Sequence, residues 1–494
     1  MIAEPTRVLV VDLNNFARYP TVAVGYLAAL LRQAGIGVEV FSPLRFGVPG
    51  VAREPRETRA RGLLRRLNYE LEARPGPVAT LARAARVRAP GESRRRARLL
   101  DRFERALDAG YDAVLVSTYL MYHPLCVAIG ARCRDRGVPL LLGGSYFSQE
   151  EVGAAWLDVP GLVGLVGGEV EPHLADLVRA AAGGEDLARF PGVSTPGGGR
   201  GPACPPLRDL DRLPFPDYSD FPWDSYPDRI VPMITGRGCG WGACTFCSDV
   251  TSTVGRTFRS RSPGNVIEEL AHQARRHDAE LFTFVDLKLN SDLSVWEALL
   301  GRFQGAVPGG QWIGAVHVGA RQPNGLGRRE LEAARAAGMV RITTGLESGS
   351  QRVLDLMRKG ADLGESGRFL RDASAAGLSV RVTMIHGFPG ERAEDVVASA
   401  LLLERHRRHI ERVSLNRCQL TIGPPLLSRL RALPDGPSDV VDLRVDPRAA
   451  QASHRYLPAD DPEYRRATRR LLDAVSAINR RPISPSARRF EGVM

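Results

Sequence analysis

Three thiols stand within nine residues in the stretch Met233-Ile-Thr-Gly-Arg-Gly-Cys-Gly-Trp-Gly-Ala-Cys-Thr-Phe-Cys-Ser-Asp249, spaced C-x4-C-x2-C at Cys239, Cys244 and Cys247. No other feature of the chain limits its fold so tightly. A four-thiolate zinc site needs a second C-x-x-C pair, and the other cysteines, Cys126, Cys133, Cys204 and Cys418, are scattered singly. Zinc is therefore disfavoured. Three thiolates can instead hold three irons of a [4Fe–4S] cube and leave the fourth open to a small-molecule ligand. Apolar Ile230–Ile234 predicts a strand feeding this loop. Gly236, Gly238, Gly240 and Gly242 predict a tight wrap, since glycine takes positive φ at no steric cost.

Downstream, the apolar pattern alternates between helical and strand periods. It predicts helices over 263–276, 293–304, 328–337, 350–375 and 392–407, and strands over 281–285, 312–318, 340–344, 379–385 and 413–420. Six strands, counting the one before Cys239, predict an open barrel whose site lies at the strand C-termini. Upstream, strands over 7–13, 38–41, 113–117, 139–143 and 162–166 alternate with helices over 22–34, 124–136 and 171–182. That pattern predicts a doubly wound parallel sheet with ligand loops at its carboxyl edge. No G-x-G-x-x-G follows the first strand, so nicotinamide cofactors are disfavoured.

The cysteine loop resembles that of radical S-adenosylmethionine (SAM) enzymes, with one residue more in its first gap than the commonest C-x3-C-x2-C spacing. The resemblance implies that Cys239, Cys244 and Cys247 hold a [4Fe–4S] cluster. SAM would chelate the open iron and be cleaved to a 5′-deoxyadenosyl radical. Phe246 matches the usual aromatic before the last cysteine. Asp286 aligns with the position that holds the amino group of SAM, Gly345-Leu-Glu-Ser-Gly-Ser350 implies Glu347 and Ser348 as SAM contacts, and His386-Gly-Phe-Pro-Gly-Glu391 implies His386 and Gly387 beside the adenine.

The N-terminal segments resemble the cobalamin-binding domain fused to one class of these enzymes. The matching pieces are Pro20-Thr-Val-Ala-Val-Gly-Tyr-Leu-Ala-Ala29, Leu142-Gly-Gly-Ser145 and Val166-Gly-Gly-Glu-Val-Glu171. They imply corrin contacts from Pro20, Thr21, Val22, Gly25, Ser117, Thr118, Gly143, Gly144, Ser145, Gly167, Gly168 and Glu169. No D-x-H-x-x-G motif offers a histidine to cobalt.

The fold class expected is thus α/β: a Rossmann-like cobalamin-binding domain over 1–183 with an Arg-rich helical insertion at 45–110, and a linker over 184–228. A partial (β/α)6 radical SAM barrel follows over 229–420, then a small, mostly helical C-terminal region over 421–494 with helical patterns near 447–455 and 462–479. Lys359-Gly360 matches the family in position, and a solvated lysine explains it equally well; His317 reads as structural, and the role of Trp241 within the cluster loop is open.

The net charge of +11 raises the question of nucleic acid, but 65 of the 67 basic residues are arginine, a bias that GC-rich coding explains better than phosphate recognition. No nucleic-acid partner is expected. No apolar run approaches the roughly 18 residues that span a bilayer, and the N-terminus runs straight into a strand, so no membrane partner, no leader and a cytoplasmic location are expected. The resemblance implies three cofactors: the cluster, SAM and methylcobalamin. It also implies a small-molecule or peptide substrate and an external electron donor of flavodoxin or ferredoxin type. The implied reaction is C-methylation of an unactivated carbon in a natural-product or peptide intermediate. Ring contraction, cyclisation, rearrangement and P-methylation are the alternatives. A methylthiotransferase would need cluster cysteines in its N-terminal domain, and residues 1–125 have none. A corrin-binding sensor would need neither the cysteine triad nor the SAM-site acids. The catalytic residues proper stay unassigned.

Overall fold

The computed structural model describes residues 6–51, 57–72, 92–247, 258–320, 322–432 and 439–493. Arg7–Asp12 (β1), Gly37–Phe41 (β2), Ala113–Ser117 (β3), Leu140–Gly143 (β4) and Leu162–Val166 (β5) form a parallel sheet. Val10 lies between Val40 and Leu115 in register. Continuous apolar strands suit this sheet because both faces are covered. One face carries the Val22–Gln33 and Leu174–Ala182 helices, and the other carries His123–Asp135 and Glu92–Leu107. Cys126 and Cys133 belong to this second face, where burial pushes their thiols up to about 11 and about 12.

A sixth strand, Val193–Ser194 (β6), joins the sheet antiparallel to β5. It falls inside the segment expected to be a linker. That segment is also packed rather than merely connecting. Tyr218 is fully buried, its hydroxyl donates to the Pro232 carbonyl at 2.9 Å, and its ring lies against Gly25. Tyr218, Phe221 and Tyr226 thereby fuse one face of the sheet with the barrel core in a single apolar cluster.

Ile230–Met233 (β7) leads into the cysteine loop, whose flanks Gly236–Arg237 (β8) and Arg259–Ser260 (β9) pair antiparallel. The barrel continues with Leu281–Phe284 (β10), Gln311–Val316 (β11), Met339–Glu347 (β12), Ser379–His386 (β13) and Arg412–Arg417 (β14). The six parallel strands stand in the order β14-β13-β12-β11-β10-β7, as the alternating pattern predicts.

The C-terminal region departs from expectation at one point. Residues near 447–455 are not helical: Gln451–Tyr456 (β17) pairs antiparallel with Val440–Asp446 (β16) and Leu420–Thr421 (β15). Side chains alternate between more and less buried along β16 and β17, the period of a strand. The Pro462–Asn479 helix forms as expected, against the Ala393–His406 helix and β14. The insertion contributes the Arg59–Glu72 helix, which docks on this last helix through Glu57, Arg65 and Ser476. Its stretch over 73–91 lies outside the described residues. No helix among the described residues is long and apolar enough to cross a membrane.

Candidate active site

The cysteine loop is held at many points. At its start, the buried carboxylate of Asp286 accepts hydrogen bonds from the Thr235 N–H (2.9 Å), the Thr235 hydroxyl (2.7 Å) and the Gly236 N–H (3.0 Å). Burial pushes the Asp286 carboxyl up to about 6, against the pull of these donors. Asp286 thus clamps the loop, a role its sequence position did not reveal. Further along, Gly240 N–H donates to the Ser291 hydroxyl, Trp241 Nε1 to the Arg358 carbonyl, and Thr245 N–H to the Met357 carbonyl. Of the four glycines expected to bend the loop, Gly238 and Gly242 take positive φ. Gly236 instead permits close approach to β9, since a Cβ there would stand 2.6 Å from the Arg259 carbonyl oxygen.

The chain has only two lysines, and both face the thiols. Lys359 is buried, not solvated, and donates to Glu347 Oε1 at 3.1 Å. Burial opposes its charge, but Glu347 and the thiolates of Cys244 and Cys247 hold its pKa above the ordinary value. Lys288 is depressed by burial and partly restored by Cys239. Glu347 ends β12 at φ +60° and accepts from the Thr383 hydroxyl. Gly345 leaves room for it: a Cβ at 345 would meet the Glu347 carboxylate at 2.0 Å and Lys359 Nζ at 2.7 Å. The Trp241 indole lies on Gly360, where a Cβ would come within 2.1 Å of the ring, and stacks on His317. Burial and the two lysines push His317 down to about 3, so its imidazole is neutral.

The other expected SAM contacts are placed as follows. Ser348 is buried in the turn after β12, where its hydroxyl accepts from the Ser350 N–H. Phe246 packs edge-on against Phe388. Gly387 donates to Glu391. His386 turns towards the C-terminal helix, stacks on Tyr464, and pairs with Glu391 at 3.2 Å.

A cavity of about 570 Å3 spans both domains. On the sheet side its lining includes Val22, Ser117, Gly143, Gly144, Ser145, Gly167, Gly168 and Glu169. On the barrel side lie Ile234, Arg237, Gly238 and Cys239. A Cβ at Gly143 would meet no atom within 4 Å, so this glycine leaves the cavity open. Pro20, Thr21, Gly25 and Thr118 do not line it. Thr21 donates to buried Asp12 at 2.8 Å, Gly25 makes room for Tyr218, and Thr118 lines a neighbouring cavity. Glu169 receives Arg259 through both carboxylate oxygens at 2.8 Å, and Glu171 receives Arg237 at 2.5 Å. These pairs clasp the sheet loop to the base of the cysteine loop. Arg237 and Arg259 are functional residues that the sequence reading missed, since their partners lie 66 and 90 positions away.

Among the described residues no three His, Cys, Asp or Glu side chains meet as a single-ion site would require. A cube binds each thiolate to a different iron, so its ligands stand apart, and the partly exposed Cys239, Cys244 and Cys247 beside two cations fit an anionic cluster.

Residues 233–403 match the family model of the radical SAM superfamily. The chain is 27% identical over 322 residues to an uncharacterised methyltransferase of Pyrococcus horikoshii, covering 63% of this chain and 66% of that protein. It is also 27% identical over 258 residues to the anaerobic magnesium-protoporphyrin IX monomethyl ester cyclase of Rubrivivax gelatinosus, covering 49% of this chain and 43% of that one. The chain thus spans less than two thirds of either relative. Among solved structures, the radical SAM methyltransferase TsrM from Kitasatospora setae, holding cobalamin and a [4Fe–4S] cluster, superposes with TM-score 0.63 at 16% identity, over 98% of this chain and 90% of that one. Residues 233–403 thus form a radical SAM domain, a type of domain that works with a [4Fe–4S] cluster and SAM. The doubly wound domain ahead of the barrel gives the chain the same overall fold as that cobalamin-holding structure.

Proposed function

We propose that this chain is a cobalamin-dependent radical SAM methyltransferase that places a methyl group on an unactivated carbon of a natural-product or peptide intermediate. One observation carries the reading: the carboxyl ends of the sheet strands and Cys239 open onto the same cavity. When bound, the cluster and SAM supply a hydrogen-abstracting radical, and the corrin supplies a transferable methyl. The chain supplies placement. Cys239, Cys244 and Cys247 would hold the cluster, Glu347 with Lys359 forms the polar wall beside it, and Gly143, whose missing Cβ faces open space, leaves room for a flat macrocycle. Among the described residues no histidine lines the cavity. The Glu169–Arg259 and Glu171–Arg237 pairs fix the corrin side against the cluster side, which sets how far a methyl must travel.

The test is product analysis of the anaerobically reconstituted protein with candidate substrates. Methyl transfer yields 5′-deoxyadenosine and S-adenosylhomocysteine together. The similarity to a cyclase supports a second reading, in which 5′-deoxyadenosine forms without S-adenosylhomocysteine; that outcome would replace methylation by cyclisation or rearrangement.

A further inference from the structure

A second cavity, of about 500 Å3, opens where β13 and β14 end, between the barrel rim and the C-terminal extension. Its position ties it to the barrel site: His386 and Gly387 line it, and Met384, two residues earlier on β13, pairs with Glu347. Besides the end of β13, four separate parts of the chain line it. Tyr69 reaches in from the insertion helix, Arg417 and Cys418 from the end of β14, Arg444 and His454 from the β16–β17 hairpin, and Tyr464 and Arg465 from the last helix.

Its charge is one-sided. Five arginines line it, at 417, 444, 455, 465 and 469, against two aspartates, Asp442 and Asp460. Asp460 is already engaged by Arg455 at 3.0 Å. Among the described residues no carboxylate lies within ion-pair reach of Arg444 or Arg465. Like charges gathered in a concave, partly apolar wall repel each other and focus a positive field into the cavity.

The aromatic wall is ordered in detail. His386 lies parallel to Tyr464 at 5.4 Å between ring centres, and Tyr69 stands 5.8 Å from the same imidazole. Glu391, buried beneath, accepts from the Tyr464 hydroxyl at 2.6 Å and from Gly387 N–H at 2.7 Å, and so fixes both rings. The Arg417 guanidinium lies over Tyr69 at 4.5 Å, which holds its planar fork beside the cavity. Guanidinium forks on a rigid aromatic floor match carboxylate and phosphate oxygens in pairs.

We infer that this cavity is an oxyanion-recognition site that seats a carboxylate or phosphate of the substrate while the reacting part of the molecule lies on the cluster side of the rim. The inference rests on the chain being a radical SAM enzyme with a substrate of its own. It also gives the Arg-rich insertion and the C-terminal extension a shared task, because each supplies one side of the cavity.

The experiment is isothermal titration of the anaerobically reconstituted full-length protein with saturating SAM at low salt. Inorganic pyrophosphate is the probe in one arm and citrate in the other. Saturable binding of either is expected, weakened at least tenfold in the double variant R444A/R465A and partly recovered in R444K/R465K, which keeps the charge but loses the fork. R470A, on the same helix but paired with Glu404 outside the cavity, should bind as the parent does. Pyrophosphate alone would point to a phosphorylated substrate and citrate alone to a carboxylate. Absence of saturable binding by both, or equal binding by R444A/R465A and the parent, overturns the inference. Anion binding needs no methyl transfer, so a failure of the methylation reading would leave this result standing, and the reverse.

Discussion

Among single residues, the structure separates polar groups that serve the site from those that serve the fold. Asp12 at the end of β1 is fully buried and accepts from Thr21 and from the Asn14 and Asn15 amides, yet burial pushes its carboxyl from 3.8 up to about 6. A carboxyl whose pKa is raised in the folded state contributes stability in full below its unfolded value of 3.8 and loses it as pH climbs through about 6. Asp12→Asn keeps one acceptor oxygen and removes the buried charge. Its stability gain over the parent should grow as pH rises from 3.8 to about 6 and then level off. The plateau should stand at about 2–3 kcal/mol, because moving a pKa by one pH unit is worth about 1.4 kcal/mol. Thermal melts across that range check it. Lys359 behaves in the opposite way: Lys359→Met strands Glu347 as a buried, unpaired carboxylate, which costs about 3–5 kcal/mol. Denaturant unfolding should show that loss, and Lys359→Arg should recover part of it. Neither environment was legible in the sequence. The Leu-Met-Arg-Lys-Gly run around Lys359 looks like a surface turn, and only the fold brings Glu347 and the thiols to it.

Among elements, the cysteine loop and the turn beyond β12 are shaped to each other through Trp241 and Gly360. Gly360 sits at φ +65° under the indole, so Gly360→Ala adds both backbone strain and a collision at 2.1 Å. Iron retained after reconstitution should fall markedly in Gly360→Ala, while Gly301→Ala, in an open position on the Leu293–Ala306 helix, should retain iron as the parent does. The six barrel strands and five sheet strands were readable in advance because apolar runs and helical periods alternate on either side of the insertion. The strand at Gln451–Tyr456 was not. Its more buried positions carry Ala452, His454 and Tyr456, which mark no hydrophobic stripe, while exposed Arg455 and Gln451 pass equally well for helix. The segment over 184–228 misled for a related reason. Its prolines and glycines read as loop, and nothing local shows that Tyr218 and Phe221 are core.

In the molecule as a whole, the two domains share one apolar core and one cavity, and two ion pairs clasp the loop that follows β5 to the base of the cysteine loop. That arrangement was legible only as two separate domains, because motif resemblance identifies modules and says nothing of how their ligand edges meet. A corrin on the sheet and a cluster on the barrel should therefore face each other across a single cavity. Electron paramagnetic resonance of the reduced protein, loaded with both cob(II)alamin and the cluster, reads that proximity. Cobalt and cluster signals should be broadened by mutual spin coupling, and the broadening should vanish when Cys239→Ala removes the cluster. Two unperturbed signals that simply add would contradict the shared cavity.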